Sequence, residues 1–212
     1  NTIQSSATRS FKKINNFYTE FQLGMSSLIQ KFLRLFVAFN CLSYGFTVQR
    51  NWWRCQISEN KPVEAIAFIN GTSIKGTVTF VQASCLLPVT IQVSLTGLTQ
   101  GDHGFHVHEK GDISGGCTSM LAHYNPDSLN HGGQTDKIRH EGDLGNIQAN
   151  ANGVSSMTII DSYITLSGPR TIIGRGIVVH NNRDDLGKGG SADSLTTGNS
   201  GARVACAVIG YA

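Results

Sequence analysis

The chain has 212 residues, enough for one domain with a substantial hydrophobic core. Its formal net charge of +3 is unevenly spread, because residues 1–61 contain eight Lys or Arg and two Asp or Glu, whereas residues 62–212 contain nine and twelve. The basic balance therefore belongs to the N-terminal segment, and the charge gives no reason to expect a nucleic-acid partner.

Residues 25–47 have the shape of a secretory signal peptide. Met25 is the first candidate start; a basic segment follows it, and then about a dozen mostly apolar residues from Leu35. Ser43 and Gly45 are small enough for a cleavage site. The apolar run is too short and too interrupted to span a bilayer comfortably. We therefore expect a secreted, extracellular protein; a membrane anchor and residence in the cytosol or an organelle are the alternatives.

Two further segments flank that peptide. Residues 1–24 are nearly free of acidic residues; we interpret them as disordered untranslated-region or artefactual sequence, with a transit-like presequence as the alternative. Residues 48–61 are interpreted as a short N-terminal arm of the mature protein. Its Trp52-Trp53 pair is expected to pack onto the neighbouring domain, in preference to forming a docking surface.

Residues 62–212 are expected to form one all-β domain. Short runs rich in Val, Ile and Thr are separated by Gly, Asn and Asp, which is typical of a β-sandwich or β-barrel. The first turn holds the sequon Asn70-Gly71-Thr72, a candidate glycosylation site in a secreted chain. The predicted strands cover residues 63–69, 75–82, 89–96, a stretch ending in His106 and His108, and residues 153–161, 176–180 and 203–210.

Two histidines close the fourth predicted strand. Side chains alternate between the two faces of a strand, so His106 and His108 point the same way and Val107 points to the opposite layer. Two imidazoles on one face form half of a metal site. The pattern is a weak indication by itself, because histidines also pair by chance on polar strand faces.

The segment 109–142 reads as a long loop and supplies further ligands. It is rich in Gly, Asn and Asp, and a structureless loop of this length in a compact domain is usually functional. Nitrogen and oxygen donors suit tetrahedral zinc, and a bound ion can stabilise a loop too polar to fold through apolar burial. The candidate zinc ligands are His123, His131, His140 and Asp143. His180 ends a later strand, whereas His103 is expected to have a structural role.

Seven stretches together resemble the Cu/Zn superoxide dismutases, and the resemblance covers residues 62–212. It implies an eight-stranded Greek-key β-barrel with a long metal-binding loop and a second loop beside the active site. The stretches are residues 104–109 (Gly-Phe-His-Val-His-Glu), 123–126 (His-Tyr-Asn-Pro), 131–133 (His-Gly-Gly), 139–146 (Arg-His-Glu-Gly-Asp-Leu-Gly-Asn), 174–180 (Gly-Arg-Gly-Ile-Val-Val-His), 184–190 (Asp-Asp-Leu-Gly-Lys-Gly-Gly) and 197–206 (Thr-Gly-Asn-Ser-Gly-Ala-Arg-Val-Ala-Cys).

The resemblance implies one copper ion and one zinc ion per subunit, which share one imidazole. The implied copper ligands are His106, His108, His123 and His180. The implied zinc ligands are His123, His131, His140 and Asp143. Because an imidazole ring has two nitrogens, His123 can face both ions.

Further residues receive roles from the same resemblance. Asp184 is implied to hold the outer nitrogens of two metal ligands, and Arg203 to attract superoxide as a fixed positive charge. Thr197 would form the other side of the substrate channel. Cys117 and Cys206 would form a disulfide.

Several residues depart from the family pattern. Leu121 stands where many members have glycine, so a positive φ there would cost stability. The resemblance implies a homodimer, but Lys110 stands where many members place an aromatic residue at the subunit interface, and burying an unpaired lysine is unfavourable. Ala192 and Thr196 replace an acid and a lysine, which predicts weaker electrostatic steering.

The expected function is the dismutation of superoxide to dioxygen and hydrogen peroxide, an oxidoreductase reaction driven by a copper ion that alternates between two oxidation states. One alternative is a copper-delivery protein, although the MxCxxC motif of such proteins is absent from the sequence. Another is a related metal-binding domain without catalysis, although no copper histidine is missing.

Two cysteines remain after Cys117, Cys206 and the leader's Cys41 are set aside. An even number of cysteines in a secreted chain suggests a second bridge, here between Cys55 and Cys85. The alternative is two free thiols.

Overall fold

The computed structural model describes residues 61–212. The expectations for residues 1–24, 25–47 and most of 48–61, including Trp52-Trp53 and Cys55, lie outside these described residues. Within them the regular secondary structure is almost entirely β, as the sequence predicts. The strands are β1 (Val63–Asn70), β2 (Lys75–Gln82), β3 (Val89–Thr96), β4 (Gly101–His108), β5 (Asp143–Ala149), β6 (Ser155–Asp161), β7 (Gly176–His180), β8 (Arg203–Val208) and β9 (Gly210–Tyr211).

The strands form two antiparallel sheets. One has five strands in the order β6-β3-β2-β1-β9, and the other has four in the order β5-β4-β7-β8. Alternate residues along β1 are buried, which is the pattern of a strand with one face on a core. The inner faces enclose side chains such as Phe80, Ile91, Phe105 and Val107, all fully buried. This core fixes the two sheets as a scaffold for the loops.

The last two-residue strand joins the sheets at one edge. The predicted strand 203–210 is interrupted at Ile209, which is fully buried, so that β8 stays in the four-stranded sheet while β9 pairs with β1. Tyr211 pairs with Ala65. The barrel is thereby closed between the first and last strands of the described domain.

Sequence reasoning from the residues alone missed β5. Its partner β4 is irregular: Gly104 pairs with Asn146, whereas His106 pairs with Asp143, so the register shifts between these pairs. Gly145 has a φ of +81°, in the region that favours glycine. The irregular stretch breaks the period-two alternation that identifies a strand, although Leu144 and Ile147 are both buried.

The segment between β4 and β5 is irregular, as predicted, apart from a 3₁₀-helix at Gly116–Met120. Cys117 in that helix is bonded to Cys206 in β8, across a sequence separation of 89 residues. Closing a loop of this length contributes about 4–5 kcal/mol in the chain-entropy account of disulfides. The bridge anchors the long loop to the four-stranded sheet.

The second loop, between β7 and β8, contains a single helical turn at Ser194–Thr197. No helix within residues 61–212 has the length and apolar character needed to cross a membrane.

Candidate metal centre

The four-stranded sheet positions the first group of histidines. His106 and His108 both lie in β4, and Val107 between them is buried in the core, as the predicted alternation requires. β7 pairs with β4 and ends in His180. The loop brings His123 against this face, where it forms an isolated bridge with His108. The four residues are buried and present donor atoms within 4.8 Å of one another.

Each histidine of this first group has one ring nitrogen without a carboxylate or carbonyl acceptor. Nε2 of His108 lies 3.4 Å from Nε2 of His180, so two ring nitrogens face each other. Nδ1 of His106 and Nε2 of His123 are buried and have no hydrogen-bond partner. Buried polar atoms are normally satisfied, so unpaired imidazole nitrogens among donor atoms within 4.8 Å of one another fit a cation that accepts their lone pairs. An all-nitrogen set suits copper.

Asp143 organises the second group. Its carboxylate lies 2.9 Å from His123 Nδ1, 2.9 Å from His131 Nδ1 and 3.1 Å from His140 Nδ1. Three nitrogens and a carboxylate oxygen are the donor set that tetrahedral zinc accepts. Backbone N–H groups of Gly132 and His140 also donate to Asp143 Oδ2, at 3.1 and 2.8 Å, which fixes the carboxylate in place.

If the second group is chosen by the distances between donor atoms alone, its fourth member is His106 instead of His140. Donor atoms of His106, His123, His131 and Asp143 all lie within 4.8 Å of one another. However, His106 directs its Nε2 away, to Asp184 at 2.8 Å, and its Nδ1 belongs to the first group. Because His140 Nδ1 lies 3.1 Å from Asp143 Oδ1, His140 stays a candidate for the fourth zinc ligand.

Asp184 connects the two groups, as the resemblance implies. Its Oδ2 lies 2.8 Å from His106 Nε2 and its Oδ1 lies 2.8 Å from His131 Nε2. A Cβ on Gly198 would stand 1.9 Å from Oδ1, so only glycine fits at that position. Asp184 thus orients one imidazole from each group.

Asn146 is a functional residue that the sequence reasoning did not single out. Its side-chain oxygen accepts from Asp184 N at 2.7 Å and its Nδ2 donates to Asp184 O at 2.9 Å. The two hydrogen bonds fix the backbone that carries the bridging carboxylate. The only sequence indication was its inclusion in the stretch 139–146.

Burial keeps the histidines of the first group neutral. It lowers the pKa of His106 to about 3 and that of His180 to about 4, and it also lowers the pKa values of His108 and His123. The proximity of His123 lowers the other three further. A neutral imidazole is the form that binds metal.

His131 behaves differently. Burial pulls its pKa down, but contacts with Asp143 and Asp184 outweigh burial and raise the pKa to about 9. Burial would also raise the pKa of Asp143, yet its histidine hydrogen bonds hold it well below the ordinary value. Negative charge is therefore concentrated where a cation is expected.

Arg203 lies at the start of β8, beside the disulfide. Its Nη1 donates to Cys117 O at 2.7 Å, and its Nη2 donates to Leu121 O. Burial lowers the pKa of the Arg203 guanidinium below its ordinary value. Thr197 is exposed and its hydroxyl donates to Asp193 O at 3.0 Å, so its role in a channel stays a prediction.

The backbone of Leu121 is strained, and its carbonyl oxygen contacts two side chains of the site. Its φ of 60° and ψ of −146° lie in a region that is essentially restricted to glycine. This conformation directs its carbonyl oxygen to both Arg203 and Nδ1 of His108, the latter at 2.8 Å. The sequence predicts lost stability if Leu121 has a positive φ, and the structure meets that condition.

Replacing Leu121 with glycine should stabilise the protein. The relief of strain amounts to about 1–3 kcal/mol, against a glycine entropy cost of about 0.5–1 kcal/mol, so the melting temperature should rise by several degrees. Thermal unfolding of the variant and of the unmodified protein measures the change in melting temperature. Leu195→Gly is the matched control, since Leu195 is 44% exposed and Leu121 is 47% exposed, yet Leu195 has no positive φ. A melting temperature of Leu121→Gly equal to or below that of the unmodified protein would contradict the strain.

The chain was compared with known proteins. Residues 74–209 match the family model for copper/zinc superoxide dismutase. An extracellular superoxide dismutase [Cu-Zn] of Drosophila melanogaster is 52% identical over 72% of this chain and 88% of its own length. A superoxide dismutase [Cu-Zn] of Paramecium bursaria Chlorella virus 1 is 55% identical, over 74% of this chain and 82% of its own. A superoxide dismutase [Cu-Zn] of Onchocerca volvulus is 51% identical, over 68% of this chain and 94% of its own length.

The family match covers both histidine groups, the residue that bridges them and the arginine beside them. The names of the three relatives agree with the family model, and the alignment with this chain covers most of the length of each relative. The chain therefore belongs to the copper/zinc superoxide dismutase family of oxidoreductases.

Proposed function

We propose that this chain dismutates superoxide, 2 O₂⁻ + 2 H⁺ → O₂ + H₂O₂, at a copper ion held by the first group of histidines. The copper ligands are His106, His108, His123 and His180. A zinc ion is held by His123, His131, His140 and Asp143. The observation that carries the assignment is His123, whose Nδ1 lies 2.9 Å from Asp143 while its buried Nε2 has no partner and faces the first group.

The protein residues have separate tasks. Copper, when bound, supplies the one-electron couple that the reaction needs. His123 Nε2 is an atom at which a proton can be held and released, because no protein group occupies it. Arg203 provides a fixed positive charge for an anionic substrate and is held in place by three carbonyl oxygens, those of Cys117, Thr118 and Leu121. Asp184 and Asn146 keep the imidazoles oriented.

Superoxide consumption by the metal-loaded protein, measured together with its copper and zinc content, tests this function. We expect about one equivalent of each metal and rapid consumption. Arg203→Lys keeps the charge and Arg203→Met removes it, so the first should retain more activity. A protein that holds both metals and consumes no superoxide would be a metal-binding or copper-delivery relative instead.

We propose further that two copies associate through a patch around Gly111. A Cβ on Gly111 would stand 2.1 Å from Gly174 O and 3.0 Å from Val208, so these three residues lie side by side. Ile113, two residues after Gly111 in sequence, is 59% exposed. The apolar character favours a homodimer, and the exposed Lys110 beside Gly111 weakens it.

Lys110→Phe should tighten this dimer. Replacing a charged side chain with an apolar one in a buried interface should lower the dissociation constant by at least about tenfold. Sedimentation over a range of concentrations measures it, with Lys137→Phe as the control for added surface hydrophobicity. Equal effects of the two substitutions would contradict the assigned patch.

Secretion is the third part of the proposal. Its supports are the predicted signal peptide at residues 25–47, the Cys117–Cys206 disulfide and the extracellular relative in Drosophila melanogaster. N-terminal sequencing of protein from the medium of expressing cells tests it and identifies the cleavage site. Protein that is found only inside the cells would contradict secretion.

A second bridge between Cys55 and Cys85 is expected in the secreted protein. Cys85 is disulfide-bonded, whereas Cys55 and Cys41 lie outside the described residues. Cys85 follows β2, and the end of β2 at Gln82 pairs with Val63, so the first residue of β1 lies beside the end of the strand that precedes Cys85. Peptide mapping without reduction should yield a crosslinked Cys55–Cys85 peptide. Alkylation of Cys55 before reduction would contradict the pairing.

A further inference from the structure

One arginine from outside the long loop contacts that loop at two points. Arg170 lies between β6 and β7, and its two terminal nitrogens donate to Asp127, Nη2 to Oδ1 at 2.6 Å and Nη1 to Oδ2 at 2.8 Å. Nη1 also donates to Glu141 Oε2 at 3.2 Å. Asp127 and Glu141 are 14 positions apart in sequence. One guanidinium therefore joins the two ends of the segment 127–141.

The segment 127–141 contains two of the proposed zinc ligands, His131 and His140. Glu141 is the direct neighbour of His140, and its side chain is only 6% exposed. A carboxylate buried to this extent costs free energy unless a cation pairs with it, and Arg170 is such a cation. The ion pair thus lies one residue away from a zinc ligand.

A second arginine from the same connection contacts the start of the loop. The guanidinium carbon of Arg175 lies 3.6 Å from the centre of the Tyr124 ring, and its Nη1 donates to Glu109 O at 2.7 Å. Tyr124 directly follows His123, and Tyr124 O accepts a hydrogen bond from Gly142 N at 2.9 Å. The connection between β6 and β7 is therefore bound to the loop at its beginning as well as across the segment 127–141. All these contacts lie within one chain, so they hold whether or not a second copy covers this surface.

We propose that Arg170 is a positioning residue for zinc, which holds the segment 127–141 in its ligand-bearing conformation and thereby slows the release of the ion. A bidentate contact between an arginine and a carboxylate fixes direction as well as distance. An isolated, exposed ion pair contributes little, but here the bidentate pair is joined to a buried carboxylate. A loop that is already held in place loses less conformational freedom when its ligands bind the ion. The role of Arg170 rests on the proposed zinc site.

The rate at which an excess of chelator removes zinc from the metal-loaded protein tests this role. Arg170→Met removes the charge at similar length, and we expect it to release zinc about tenfold faster, the lower end of the cost of losing a residue that supports a metal ligand. Arg170→Lys keeps the charge but not the paired hydrogen bonds, so its rate should lie between those of Arg170→Met and the unmodified protein. Lys137→Met is the matched control, because Lys137 is an exposed cation in the same segment. Its rate should equal that of the unmodified protein.

Two further measurements separate positioning from a general loss of stability. The copper content of Arg170→Met should be unchanged, because none of the proposed copper ligands lies in the segment 127–141. Glu141→Gln should also release zinc faster, and adding it to Arg170→Met should change the rate little, because both substitutions weaken the same contact. Fully additive effects would contradict the shared contact. The Arg170 side chain is 38% exposed, so its variants are expected to fold.

Three outcomes would overturn the role of Arg170 and leave the zinc site in place. One is zinc release from Arg170→Met at the rate of the unmodified protein. The second is an equal acceleration in Lys137→Met, and the third is an equal loss of copper and zinc from Arg170→Met, which would indicate a general loss of stability. An unmodified protein that holds no zinc after loading would instead remove the proposed zinc site, and the role of Arg170 with it.

Discussion

Replacing His106 with alanine is expected to abolish superoxide consumption while zinc remains bound. His106 Nδ1 is buried without a protein partner and faces the other three histidines of the first group. Loss of a residue that merely supports a ligand costs about 10–100-fold, so loss of a ligand itself should cost at least about 100-fold in activity. The zinc set keeps all four members, and Asp184 keeps His131 through its Oδ1. Metal analysis and superoxide consumption, measured on the same sample, check both halves of the expectation.

His103→Gln is the matched control for this variant. His103 lies on the same strand and is 2% exposed, but its Nδ1 faces His180 O at 2.8 Å and its Nε2 faces Thr99 O at 2.9 Å. Neither nitrogen is directed at a metal group, so copper and zinc should both be retained. Full activity of His106→Ala would exclude His106 as a copper ligand. Loss of both metals from the two variants alike would mean that the strand, not the ligand, was responsible.

Replacing Asp143 with alanine should have the largest effect on stability. The carboxylate is fully buried and lies within 3.1 Å of three imidazole nitrogens, and two backbone N–H groups donate to it. Breaking a buried charged network costs about 3–5 kcal/mol, and the stabilisation from zinc is lost in addition. The melting temperature should fall by at least about 6–12 °C, and a chelator should then change it little. Thermal unfolding with and without chelator measures both.

Asp136→Ala provides the comparison within the same loop. Asp136 accepts from Gly133 N at 2.9 Å and lies 3.3 Å from Lys188, but its side chain is 35% exposed. A partly exposed ion pair contributes about 1 kcal/mol or less, so this variant should remain responsive to chelator. If Asp143→Ala melted at the temperature of the unmodified protein with metals present, a structural zinc at Asp143 would be excluded.

β4 and its two histidines were predicted from local sequence patterns. Alternation placed His106 and His108 on one face and Val107 in the core, because residues 105–108 pair regularly with β7 and keep a period of two. The composition of residues 109–142 likewise predicted an irregular ligand-bearing loop. Both features depend on neighbours close in sequence, which is why they could be identified without coordinates.

Features that depend on distant pairings were not predicted from the residues alone. β5 was not predicted because its register shift against β4 disturbs the alternation of buried and exposed side chains. The role of Asn146 was not predicted because its two hydrogen bonds with Asp184 span 38 positions in sequence. The strain at Leu121 was expected only as a condition, since a positive φ depends on where Arg203 and His108 lie. Sequence patterns therefore identify the candidate metal ligands more readily than the residues that orient those ligands.

The pairing of Tyr211 with Ala65 joins residues that lie 146 positions apart in sequence. A ribosome adds β1 long before β9, so this edge of β1 must wait for its partner while the residues between them are being made. Contacts between residues far apart in sequence also slow folding, and edge strands that wait for a partner are exposed to other chains. The edge of β1 is therefore the part of this sheet that needs protection longest during synthesis, and a substitution that weakens the pairing of Tyr211 would prolong its exposure.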